Sequence, residues 1–157
     1  MATQETLKKA FIQSVSEVFP LFQMQPQYKE EMEDKFLTSA EDVNVLISFS
    51  HTLEGNIVFG FKKSRALKVA SLVKGLDFSN LDQEAKSALG EIATLVSNLA
   101  IGKFQVVNTI NISPPILISG DHIFLMISRV KTTKLYFELG DDRFSISYCV
   151  EQYLRGK

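Results

Sequence analysis

Two hydrophobic periods run through this chain, and the order in which they occur restricts its fold more than any other feature. Leu7, Ala10, Phe11, Val15, Val18 and Phe19 recur at the spacing of a helix. That helix is expected over about residues 3–19, with Thr3 as its N-cap and Pro20 as its stop. Residues 43–50 and 56–61 alternate instead and are rich in β-branched and aromatic side chains, which predicts two strands joined by a turn near 51–55. Ser64 is expected to cap a short helix through Ala66, Leu67, Val69, Ala70 and Val73, closed by Gly75. A second long helix, about 80–101, starts at Ser79 or Asn80 and ends at Gly102. Residues 104–113 read as extended, and Ser113-Pro114-Pro115 breaks regular structure because neither proline can donate to a ladder. Strand-like runs follow at 123–130, 134–139 and 144–150, with turns at 131–133 and 140–143.

Helix, two strands, two helices and several strands is not the strict alternation of a parallel doubly wound sheet. The expectation is an α+β fold: a largely antiparallel sheet covered by helices, in a single domain over residues 1–157. Residues 21–41 are mixed, and the acidic cluster at 30–34 reads as a solvated loop or an edge strand.

With 45% hydrophobic residues and a net charge of −1, the chain is globular and lacks the basic patch that nucleic acid or an anionic membrane surface would select. No stretch approaches the roughly 20 apolar residues of a membrane span. Lys8, Lys9 and Glu17 interrupt any leader-like apolar run. A lone Cys149 cannot form an intrachain disulfide; it lies in an alternating apolar run and reads as a packed strand residue in a cytoplasmic protein.

Chemistry is scarce. Gly55-Asn-Ile-Val-Phe-Gly60 has the glycine spacing of a phosphate loop, but Phe61 and Lys62 stand where such a loop needs Lys and then Ser or Thr. His51 and His122 fall in expected turns without partners at metal-ligand spacing, so no metal site is expected. The informative segment is Ser87-Ala-Leu-Gly-Glu91-Ile-Ala-Thr94-Leu-Val-Ser-Asn98. On a helix, Ser87, Glu91, Thr94 and Asn98 lie within roughly 60° of arc, opposite Ala85, Leu89, Ile92, Val96 and Leu99. A solvated face of an amphipathic helix would also be polar. This one, however, carries short hydroxyls, an amide and one carboxylate, with no Lys or Arg after Glu91 until Lys103, and so leaves room for a partner.

Around that stripe the chain resembles the CheX branch of the CheC/CheX/FliY chemotaxis phosphatases. The family motif is Asp or Ser, three residues, Glu, two residues, Asn, on one helix. Ser87 and Glu91 match its first two positions, and residues 81–91 and 112–120 are also similar to CheX. Thr94 stands where the family has asparagine.

The resemblance implies an antiparallel CheC/CheX-like fold and action on the aspartyl phosphate of a phosphorylated CheY-type response regulator. It makes Glu91 a docking carboxylate for the regulator's active-site lysine and Ser87 a flanking contact. Thr94 or Asn98 would place the attacking water. It implies no cofactor of the chain's own, because the regulator supplies magnesium and the phosphate, and it implies a homodimer formed through sheet contacts. With threonine in the asparagine position, a non-catalytic protein that binds a receiver or a flagellar-switch partner is the alternative.

Overall fold

The computed structural model describes residues 2–51, 53–104 and 110–153. Its first helix, α1 (Ala2–Val18), continues into a 3-10 turn at Phe19–Phe22 that holds Pro20. Thr3 lies inside α1 and does not precede it as a cap. Strands β1 (Gln27–Asp34), β2 (Leu37–Ser39), β3 (Val43–His51) and β4 (Leu53–Phe61) follow. Then come α2 (Lys63–Lys74), α3 (Gln83–Phe104), β5 (Ile110–Ile112), β6 (Ile116–Ser119), β7 (Leu125–Ser128), β8 (Thr132–Leu139) and β9 (Asp142–Tyr153).

The main sheet runs β1-β8-β9-β4-β3, and β5 and β6 both pair with β3. Every pairing is antiparallel, as the element order implies. A second, small sheet joins β2 to β7. Because side chains alternate across a strand, the sheet has two faces with different neighbours. Val43, Val45, Ile47 and Phe49 of β3 point with Ile57, Phe59 and Phe61 of β4 into a core shared with Phe11, Leu89, Ile92 and Val96. The other face packs Val58 and Cys149 against Leu37 of β2. Cys149 is thus a buried strand residue, and burial raises its thiol pKa above the ordinary value.

Aromatic stacking ties the layers together. Phe144 sits 5.0 Å from Phe19, 5.2 Å from Phe137 and 5.5 Å from Phe61, ring centre to ring centre. Tyr148 stacks on Phe11 at 5.1 Å and donates its hydroxyl to the Gln4 carbonyl at 3.0 Å, which fixes α1 to the sheet.

Several expected boundaries move for identifiable reasons. The hairpin between β3 and β4 is tighter than the expected 51–55 turn; β3 ends at His51 with φ 108° and β4 resumes at Leu53, while residue 52 lies outside the described residues. Helix α2 begins at Lys63, one residue before the expected cap Ser64, because Asp42 accepts the Lys63 amide at 3.0 Å from across the chain. Its other end is as expected: Gly75 adopts φ 71°, and the Gly75 and Leu76 amides both donate to the Ser71 carbonyl. Helix α3 begins at Gln83, not at 79 or 80, with Asp82 as its cap; the Asp82 carboxylate accepts the Ala85 amide at 2.9 Å. It also runs past Gly102 to Phe104. The C-terminal strands reach further into their turns, β8 starting at Thr132 and β9 at Asp142. Residues 110–112 of the expected extended stretch form β5; 105–109 lie outside the described residues.

The acidic cluster belongs to β1, an edge strand. Its carboxylates are matched by cations from neighbouring elements: Glu31 by Lys8, Glu33 by Lys131 and Glu30 by Arg143. Those partners are distant in sequence, so the run reads as unbalanced until the sheet forms. Among the described residues no helix is long and apolar enough to cross a membrane.

Candidate functional site

Helix α3 buries Ala85, Ala88, Leu89, Ile92, Ala93 and Val96 and turns the opposite stripe outward. That stripe forms the floor of an open groove of about 750 Å³. Ser87, Glu91 and Thr94 line it together, as the helical spacing requires. Asn98 is exposed on the same helix but lies outside the groove lining, about one turn, roughly 6 Å of rise, beyond Thr94.

The groove's second wall comes from the proline segment. β5 pairs with one end of β3, at residues 49–51, and β6 with the other, at Val43–Leu46. Between them Ser113 spans the gap: its amide donates to the Ser48 carbonyl at 2.8 Å, and its hydroxyl accepts the Ser48 amide at 2.9 Å. Pro114 and Pro115 then leave the ladder, and Pro115 and Leu117 line the groove opposite α3. Gly90 makes this approach feasible. A Cβ at Gly90 would stand 3.0 Å from the Pro115 ring and 3.7 Å from Leu117, so a larger residue would push that wall away. Leu95, exposed at 39%, and Ile116, exposed at 55%, add apolar surface at the groove and on β6.

Sequence reasoning missed several contributors to this site, Gly90, Leu95 and Leu117 among them. Gln83 and Lys86 line the groove. Gln83 lies four residues before Ser87, so helical spacing alone could have placed it on the stripe. Among the described residues it is the only amide lining the groove, but it stands about 12 Å of helical rise from Glu91. In the sequence Pro115 is a breaker within the CheX-like segment 112–120, with nothing to place it against α3. Another is Lys74, on the last turn of α2, whose Nζ lies 3.4 Å from Glu91 Oε1. The stripe therefore carries no cation of its own beside Glu91, but a neighbouring helix supplies one, and no signal in the sequence links the two.

The chemical inventory is short: one half-exposed carboxylate with Lys74 beside it, the Lys86 ammonium, two hydroxyls, an amide and an apolar rim. Among the described residues no three His, Cys, Asp or Glu side chains converge as a metal site would need. His122 adopts φ 56° between β6 and β7, a turn position as expected; His51 instead is the last residue of β3, paired with Ile110, so the expected turn does not include it. Gly55 and Gly60 lie within β4, as the alternation there requires, and form no phosphate loop.

Helices stacked on one face of an antiparallel sheet are a fold shared with CheX- and CheC-like chemotaxis proteins. A chemotaxis protein CheX from Desulfovibrio desulfuricans superposes with a TM-score of 0.78 over 96% of this chain and 100% of that one, at 20% identity. A CheX–CheY–BeF3–Mg2+ complex from Borrelia burgdorferi superposes with a TM-score of 0.72 over 94% of this chain and 97% of the matched one, also at 20% identity. At that identity the likeness is one of fold. Family membership rests on sequence: residues 43–137 match the family described as chemotaxis phosphatase CheX, and the chain belongs to that family. A CheY-P phosphatase CheX from Thermotoga maritima is 31% identical over 77 residues, which are 48% of this chain and 50% of that protein. The matched segment thus spans half the length of that curated relative.

Proposed function

We propose that this protein acts on the aspartyl phosphate of a CheY-type response regulator, docking the receiver over the α3 groove. The observation that carries the reading is the co-location of Ser87, Glu91 and Thr94 in one open groove, on a helix inside the segment that matches the family. The relatives support it: one is named a CheY-P phosphatase, and another was crystallised with CheY, BeF3 and magnesium.

In this reading Glu91 pairs with a cation of the receiver and Ser87 contacts its rim. Thr94 is the group beside Glu91 that can hold a water, since its hydroxyl both donates and accepts. Asn98 would serve only with the receiver displaced by a turn. The receiver brings magnesium and the phosphoryl group, so this chain's contribution is positioning, the largest part of phosphoryl-transfer catalysis. The groove's apolar rim of Leu95, Pro115 and Leu117 gives the receiver a surface from which water can be excluded.

The second reading is favoured by Thr94 itself. A threonine is shorter than asparagine and stiff at χ1, which suits a protein that recognises the receiver without hydrolysing its phosphate. Phosphate release from a phosphorylated CheY-type receiver separates the readings. Acceleration by the wild type that Glu91→Ala abolishes supports the phosphatase. Phosphorylation-dependent binding without acceleration supports the binding protein, and neither effect removes both.

A further inference from the structure

Glu91 is not a free carboxylate waiting for a partner. Its Oε1 lies 3.4 Å from Lys74 Nζ, and both groups retain solvent access, with side-chain exposures of 31% for the lysine and 49% for the glutamate. Lys74 is not a drifting surface side chain either. It occupies the last turn of α2, closed by Gly75 at φ 71° and by two amides on the Ser71 carbonyl. The helix buries Ala66, Val69 and Ala70, which holds its C-terminal end in place beside α3.

We propose that Lys74 is an internal counter-ion: it occupies Glu91 in the free protein and yields it to the cation of the docking partner. The inference rests on the reading that Glu91 pairs with a receiver's cation. Its physical basis is that one carboxylate does not serve two ammonium groups at full strength, because the cations repel each other. Lys74 also has somewhere to go. A cation at a helix C-terminus is stabilised by the last carbonyls and the helix dipole, so release from Glu91 leaves it partly compensated. Lys74 is therefore a positioning residue that acts through Glu91. It sets how strongly the site binds, and it selects for partners whose cation is held firmly enough to displace it.

Binding of a beryllofluoride-loaded, magnesium-bound CheY-type receiver tests this without requiring turnover. Lys74→Met is expected to tighten the Kd, by up to about fivefold, which is the factor an exposed ion pair can supply. The gain should shrink at high ionic strength, and Lys74→Arg should behave as the wild type. In a Glu91→Gln background Lys74→Met should change nothing, a coupling that a merely structural role would not produce. Weaker or unchanged binding by Lys74→Met, or an equal effect with and without Glu91, overturns the proposal. Binding by the wild type that is indifferent to Glu91→Gln would instead overturn the docking reading on which it rests.

Discussion

Replacing Thr94 by asparagine probes the proposed chemistry most directly. Thr94 is half-buried on the groove floor, one turn from Glu91. Asparagine carries its polar atoms one bond further from the backbone, roughly 1.2 Å of added reach. A misplacement of about 1 Å can cost on the order of 10²-fold in a reaction that depends on positioning. Thr94→Asn should therefore raise the maximal rate of receiver dephosphorylation by about 10²-fold. The half-saturating protein concentration should change little, because Glu91 and the apolar rim still do the docking. Stability should barely move, since threonine and asparagine have similar helix propensities and the groove is open beside them. The assay is single-turnover loss of radiolabelled phosphate from the receiver across a protein titration, with Asn98→Ala as a parallel variant. A Thr94→Asn rate within twofold of wild type would refute the argument from reach. A large loss in Asn98→Ala would show that the receiver docks one turn further along α3.

Three further outcomes follow from the fold. Phe144→Ala removes a ring stacked within 5.0–5.5 Å of three others and should lower unfolding free energy by about 3–5 kcal/mol, read by urea denaturation; a loss below ~1 kcal/mol would mean the stack is not a central support. Asp82→Ala deletes the α3 cap bond to the Ala85 amide and should cost about 1 kcal/mol, with Asp82→Ser recovering most of it in the same assay; equal loss in both variants would contradict the capping role. Burial raises both the Cys149 thiol and the Tyr148 phenol above their ordinary values, so the folded state keeps protons that the unfolded chain releases. That stability is present at neutral pH and is lost as pH rises, from about 9 for the thiol and about 10 for the phenol, at up to ~1.4 kcal/mol per pH unit per group. A urea midpoint that stays flat from neutral pH into the alkaline range would contradict this.

The elements that were legible in the sequence are those whose pattern is local. The α1 and α3 stripes, the β3 and β4 alternation and the Gly75 stop all depend on residues within a turn or two of each other. What escaped was set at a distance. The start of α2 is fixed by Asp42, 21 residues upstream, so Ser64 looked like the better cap. The β1 carboxylates are balanced by Lys8, Lys131 and Arg143, none of which is a sequence neighbour. Asp82 was overlooked for a different reason: Ser79 and Asn80 are equally good capping residues, and only the hydrogen bond to Ala85 decides among them. In the site, one-helix geometry correctly grouped Ser87, Glu91 and Thr94. It had no means of adding the wall contributed by Pro115, or the cation contributed by Lys74.

The interruption at Ser113-Pro114-Pro115 also bears on how this sheet meets other molecules. An uncovered strand edge is a template on which another chain can extend the ladder. Here that edge is split into two pieces, β5 and β6, of three and four residues, with a pair of amide-less prolines between them. Among the described residues, a strand approaching from that side finds no continuous row of donors and acceptors to match. The same chain irregularity that builds a wall of the groove therefore also guards this flank against fibre-like association.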